Sequence, residues 1–125
     1  MFKIDSKKTI YLTRGDVAII NVTATNNDGS EYTFKNGDVV RLSIFKAGNC
    51  HNVVLKKDVS VEEDKNYVEI SLTSAETKIG DIINEPVDYW YEIVLNPETE
   101  PQTIVGYFKD PVIFRLLPEG GCSNE

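Results

Sequence analysis

Apolar and polar side chains alternate with a period of two along most of this chain, which is the mark of strands that bury one face. Thr9–Thr13 carries Ile10 and Leu12 on one face. Val17–Thr25 sets Ala18, Ile20, Val22 and Ala24 against Val17, Ile19, Asn21 and Thr23. Val39–Lys46 repeats the pattern with Val40, Leu42 and Ile44, and Tyr67–Leu72 with Val68, Ile70 and Leu72 on one face and Glu69 and Ser71 on the other. In Val87–Asn96, Tyr89, Tyr91, Ile93 and Leu95 share one face, and Trp90, Glu92 and Val94 share the other. Further strands are predicted over Val53–Val61, Thr103–Phe108 and Val112–Leu117, with a short extended segment at Tyr32–Phe34. Asn26-Asn27-Asp28-Gly29-Ser30 is a dense turn signal, and Lys35-Asn36-Gly37-Asp38 predicts a tight type I′ turn. Arg14-Gly15-Asp16 and Glu62-Glu63-Asp64-Lys65-Asn66 are further connections, the second read as a hairpin tip.

One stretch breaks the period. Thr73-Ser74-Ala75-Glu76 has the spacing of a capping box, and Gly80 and Pro86 limit the helix to a turn or two. Composition agrees with this reading. The chain holds 13 Val, 12 Ile and 9 Thr in 125 residues against 4 Ala and 7 Leu, and branching at Cβ favours a pleated strand over a helix. The predicted fold is an all-β, immunoglobulin-like antiparallel β-sandwich of seven to nine short strands with one short helical turn. Residues 1–117 form a single domain and 118–125 a mobile tail. Val68, Ile70, Leu72, Tyr91, Ile93 and Leu95 are its expected core.

Charge narrows the choice of partner. With 13 Lys plus Arg against 20 Asp plus Glu, the net charge is −7, so neither nucleic acid nor an anionic membrane is expected as a partner. Apolar runs are too short to span a bilayer, and no apolar stretch follows the first lysines as in a secretion signal. The chain is therefore expected to fold in a cytoplasm, with Cys50 and Cys122 as free thiols.

Candidate chemistry is sparse. His51 is the only histidine and lies in a Gly/Asn-rich loop, where a solvated side chain is the expectation. No phosphate loop, metal-ligand spacing or calcium loop is present, and no enzyme activity, metal or cofactor is expected. Asn21-Val22-Thr23 matches a glycosylation acceptor and Arg14-Gly15-Asp16 an adhesion tripeptide; both are short enough to arise by chance. The feature that stands out is Tyr89-Trp90-Tyr91. If Tyr89 and Tyr91 face the core, Trp90 faces out, either covered by the helical turn or anchoring a contact.

The order of these motifs resembles a known family. Ile10-Tyr11-Leu12-Thr13-Arg14-Gly15-Asp16-Val17-Ala18 opens the chain's first strands. Val68-Glu69-Ile70-Ser71-Leu72-Thr73-Ser74-Ala75-Glu76-Thr77 leads into Asp88-Tyr89-Trp90-Tyr91-Glu92-Ile93-Val94-Leu95, and Val105-Gly106-Tyr107-Phe108 closes the set. Over residues 9–108 the chain is similar to the immunoglobulin-like N-terminal domain of phage baseplate upper proteins and to small prophage tail proteins. That resemblance implies a non-enzymatic structural protein of a tail or baseplate particle, made in the bacterial host cytoplasm, located in the virion, and partnered by other tail proteins. A capsid decoration protein and a carbohydrate-binding module are the alternatives.

Charge along the chain adds an expectation about assembly. Residues 1–57 hold 9 basic and 5 acidic side chains, whereas residues 58–125 hold 4 basic and 15 acidic ones. If these halves form opposite edges, copies associate head-to-tail. Trp90 and the Val112, Phe114 and Leu116 row are the expected anchors of that contact.

Overall fold

The computed structural model describes residues 2–4, 8–26, 28–49, 51–106 and 111–119; for 2–4 only the backbone is described. Cys50, Cys122 and the tail from Gly120 lie outside the described residues. Among the described residues nine strands and one helical turn follow in order: β1 (Phe2–Ile4), β2 (Ile10–Thr13), β3 (Ala18–Val22), β4 (Val39–Lys46), β5 (Val53–Ser60), β6 (Val68–Leu72), α1 (Ser74–Thr77), β7 (Val87–Leu95), β8 (Gln102–Val105) and β9 (Val112–Leu117). The protein is an all-β sandwich.

One layer is a seven-stranded sheet of order β1-β2-β9-β7-β4-β5, with β8 also on β7; the other is the two-stranded sheet β3-β6. β8 pairs Ile93–Leu95 of β7 and β9 pairs Val87–Tyr91, so the two lie end to end along one edge of β7 while β4 takes the other. The ladders are antiparallel except β2–β9, which runs parallel with Ile10 opposite Phe114 and Leu12 opposite Leu116. A purely antiparallel fold was the expectation. No hairpin joins β2 to β9; the whole chain between them connects the two, so nothing imposes the antiparallel direction that a tight turn dictates.

The core lies between the layers. Val40, Leu42 and Ile44 of β4 are fully buried, as are Ile10, Leu12 and Ile70. The six expected core residues, Val68, Ile70, Leu72, Tyr91, Ile93 and Leu95, are all buried at 6% exposure or less. Phe34 and Ile79 close the core from the loops. No buried side-chain polar atom among the described residues lacks a hydrogen-bond partner.

The local signals were legible to different degrees. The capping box is present: the Glu76 N–H donates to Thr73 Oγ1 at 3.2 Å, and the Thr73 N–H donates to Glu76 Oε1 at 2.9 Å. The Asn36-Gly37 turn is not type I′. Among its central residues only Gly37 has positive φ (99°), as type II requires, and the Asp38 N–H closes it on Lys35 O. This turn does not join two paired strands, so the twist that selects type I′ is not demanded. Nor is Glu62–Asn66 a hairpin tip. β5 and β6 belong to different sheets, and the segment crosses from one to the other.

Candidate interaction surfaces

The four residues expected to anchor contacts fall in different places. Phe114 and Leu116 are both 0% exposed and pack in the core, so they offer no surface, and Val112 packs beside them half-buried. The expectation placed the wrong face of β9 outward. That strand, VIFRLL, is apolar on both faces except for Arg115, and the parity of Arg115 marks Ile113, Arg115 and Leu117 as the outer set. Trp90 is half-buried on the outer face of the large sheet, in register with Phe45 of β4 and Ile113 of β9. Side chains of α1 bond to Asp16 O and to Lys57, which shares the core-facing side of β5 with Val59. Phe45, 7% exposed, is buried although it lies on this outer face.

Arginines straddle the outer face. Arg115 reaches the Asp88 carboxylate through Nε at 2.7 Å and Nη2 at 3.1 Å, and its guanidinium sits 5.5 Å from the Tyr11 ring centroid. Arg41 holds Asp58 at 2.8 and 3.0 Å and Glu98 at 2.9 Å. Hydrogen bonds from these guanidinium groups hold Asp88 and Asp58 below the usual carboxylate range. Glu76 is held low by the Thr73 backbone N–H and by Lys57, whose ammonium is 3.0 Å away. Basic groups of the first half of the chain (Arg14, Arg41 and Lys57) thus bind acids of the second half within one molecule.

In the sequence Arg14 reads only as part of a turn; in the fold it is a joint. Its side chain is nearly buried. Nε donates to Ile79 O at 3.2 Å, Nη2 donates to Gly80 O at 2.6 Å, and Nη1 pairs with Glu119. It fastens the β2–β3 turn to the loop after α1 and to the end of β9. The adhesion tripeptide therefore has its arginine turned inward, and Glu119, inside the expected tail, is tied down. Thr77, fully buried, completes the joint by donating to Asp16 O at 2.7 Å.

A second polar joint secures the opposite end of the fold. Asp38 accepts from the Tyr32 hydroxyl at 2.7 Å, from the Lys35 N–H at 3.0 Å and from the Asn96 amide at 3.2 Å, while Asn96 Oδ1 accepts from the Val39 N–H at 2.8 Å. Burial opposes ionisation of Asp38, but these donors outweigh it and hold its carboxyl low. Burial and the same carboxylate push the Tyr32 phenol up to about 12.

His51 is exposed, and among the described residues no three His, Cys, Asp or Glu side chains converge to hold a metal. Among the described residues no helix is long and apolar enough to cross a membrane. Concavities among the described residues include two that flank the small sheet. One of about 590 Å³ runs between β5 and β6, with Val59, Val61, Tyr67 and Val68 among its lining residues. The other, about 750 Å³, lies between the end of β3 and β8, beside Thr23, Thr25, Tyr32 and Gln102. The small sheet exposes Ile19 at 56%, with Val17 at 69% just before β3. Neither a family model, nor a curated protein, nor a solved structure matches this chain.

Proposed function

We propose that this domain is a non-enzymatic structural component of a phage or prophage tail or baseplate particle, working through protein–protein contacts. The observation that carries the contact role is the small sheet. It has two strands only, both outer edges are unpaired among the described residues, and Val17 and Ile19 stand exposed beside it. Two strands alone make a marginal sheet, and exposed aliphatic side chains at an open edge invite a partner. The particle is suggested by the resemblance over residues 9–108. Three of the four segments that carry the resemblance map onto framework elements, β2, the β6–α1 junction and β7; Tyr107 and Phe108 of the fourth lie outside the described residues.

The test is to purify tail particles from the producing strain and locate the labelled protein on them. Expected is incorporation at the tail or baseplate, lost when Val17→Asp and Ile19→Asp are combined in a protein that still folds. Copies on the capsid alone, or on no particle, overturn the reading. Normal incorporation of the double variant overturns the role given to the small sheet.

A further inference from the structure

Where the chain crosses from the large sheet to the small one, the sandwich stays open. β5 pairs with β4 and β6 pairs with β3, so each presents an unpaired edge to this side among the described residues. The groove between these edges has an aliphatic floor of Val59, Val61 and Val68, of which Val61 and Val68 are buried. Tyr67, 39% exposed, also lines it. Glu62, Glu63 and Glu69 line it as well, against the single cation Lys65. That lysine is already engaged, 3.5 Å from the Glu63 carboxylate and 5.7 Å from the Tyr67 ring centroid. The groove is therefore acidic at its rim and apolar at its base.

The rim is also held in place. The Val61 N–H donates to Asp38 O at 2.8 Å, the Gly37 N–H to Val61 O at 2.9 Å, and Phe34 and Lys65 exchange backbone hydrogen bonds at 2.7 and 3.0 Å. The Asn36 N–H adds a bond to Asp64 Oδ1 at 3.2 Å. A ligand entering here meets a loop that is already ordered, which lowers the entropic cost of binding.

We propose that this groove receives an extended segment of a partner protein in which aliphatic residues alternate with lysine or arginine. An extended segment adds to a sheet edge through main-chain hydrogen bonds, and its side chains point alternately to two sides. One side then meets Val59, Val61 and Val68, and the other meets Glu62, Glu63 and Glu69. The rim rejects an acidic segment by like-charge repulsion. β6 carries no Lys or Pro, the residues that commonly blunt a free edge. This inference rests on the contact-based reading above and names the partner's chemistry; it does not depend on the virion.

The probe is a short synthetic peptide alternating valine and lysine, titrated into the ¹⁵N-labelled full chain. Amide shifts are expected to concentrate at Val59–Val61 and Tyr67–Glu69. Combining Glu62→Lys with Glu63→Lys should weaken binding about tenfold, equal to about 1.4 kcal/mol, with an unchanged circular dichroism spectrum. Added salt should weaken it further. Three results would each overturn the proposal: a valine–glutamate peptide binding equally well, an N-methylated valine–lysine peptide retaining full affinity, or shifts confined to other strands. Particle imaging reads separately. Absence from the virion with peptide binding intact removes only the virion reading, whereas incorporation without peptide binding removes only the groove.

Discussion

Replacing Phe114 with Ala separates a core role from an interface role on β9. Phe114 is 0% exposed and stands between Ile10 of β2 and Tyr89 of β7 in the sheet register. Truncation removes a ring from a packed interior and leaves a cavity that a sheet held on both edges cannot collapse, so the cost should be about 3–5 kcal/mol. For 125 residues, about 2.1 cal/mol/K of unfolding entropy per residue makes each kcal/mol worth about 4 °C. The midpoint should therefore fall by about 12–20 °C, a large share of the total stability of an ordinary domain. Thermal melting measures the midpoint, and urea unfolding followed by tryptophan fluorescence measures the free-energy loss, with an unchanged m-value required for a clean comparison. Ile113→Ala, one residue along on the outer face, is the control and should cost under about 1.5 kcal/mol. A Phe114→Ala protein within about 1 kcal/mol of wild type would refute the assignment of this face to the core.

Thr73→Ala removes the N-cap of α1 and should cost about 1 kcal/mol by the same urea assay. Arg14→Met strips the partners from Ile79 O, Gly80 O and Glu119 and should cost about 3–5 kcal/mol, with Arg14→Lys recovering only part because one ammonium cannot replace the fork. Gly106→Ala should loosen β8 in hydrogen exchange, since at φ 90° a Cβ would lie 2.5 Å from Tyr91 O. Asp38, Asp58, Glu76 and Asp88 all have folded pKa values below their ordinary ones. The stability they add is present above about pH 4 and should be lost as pH falls through the lower folded values; Asp38→Asn should shallow that acid limb in pH-dependent melting. At the alkaline end Tyr32, raised to about 12, stabilises fully below pH 10 and progressively less from there to about 12, which tyrosinate absorbance of Tyr32→Phe against wild type will show.

The sequence carried the strands well where one face alone is apolar. Val39–Lys46 has the bounds that alternation and turn residues predict, and the capping box is where Thr73 and Glu76 put it. β9 shows where periodicity fails. With both faces apolar, alternation cannot say which is buried, and only the charge of Arg115 breaks the tie. The pairing of β2 with β9 and the Arg14 joint were illegible for another reason. Both join parts of the chain at least 65 residues apart, and no local pattern encodes which distant carbonyl a guanidinium will meet. The β5–β6 groove was hidden in the same way, because Glu62-Glu63-Asp64 read as a solvated tip until the two flanking strands proved to lie in different sheets.

The parallel contact between β2 and β9 also sets a timetable for biosynthesis. In the order β1-β2-β9-β7, the first two strands reach the rest of the large sheet only through β9. At about 5–20 residues per second, β9 is translated roughly 5–20 s after β2. Throughout that interval β1 is the one strand among the described residues that can pair with Ile10 and Leu12, and Tyr89 of β7, once made, waits for Phe114. Loop closure over so long a separation also slows folding once synthesis ends. The nascent chain is thus most prone to aggregate just before β9 emerges.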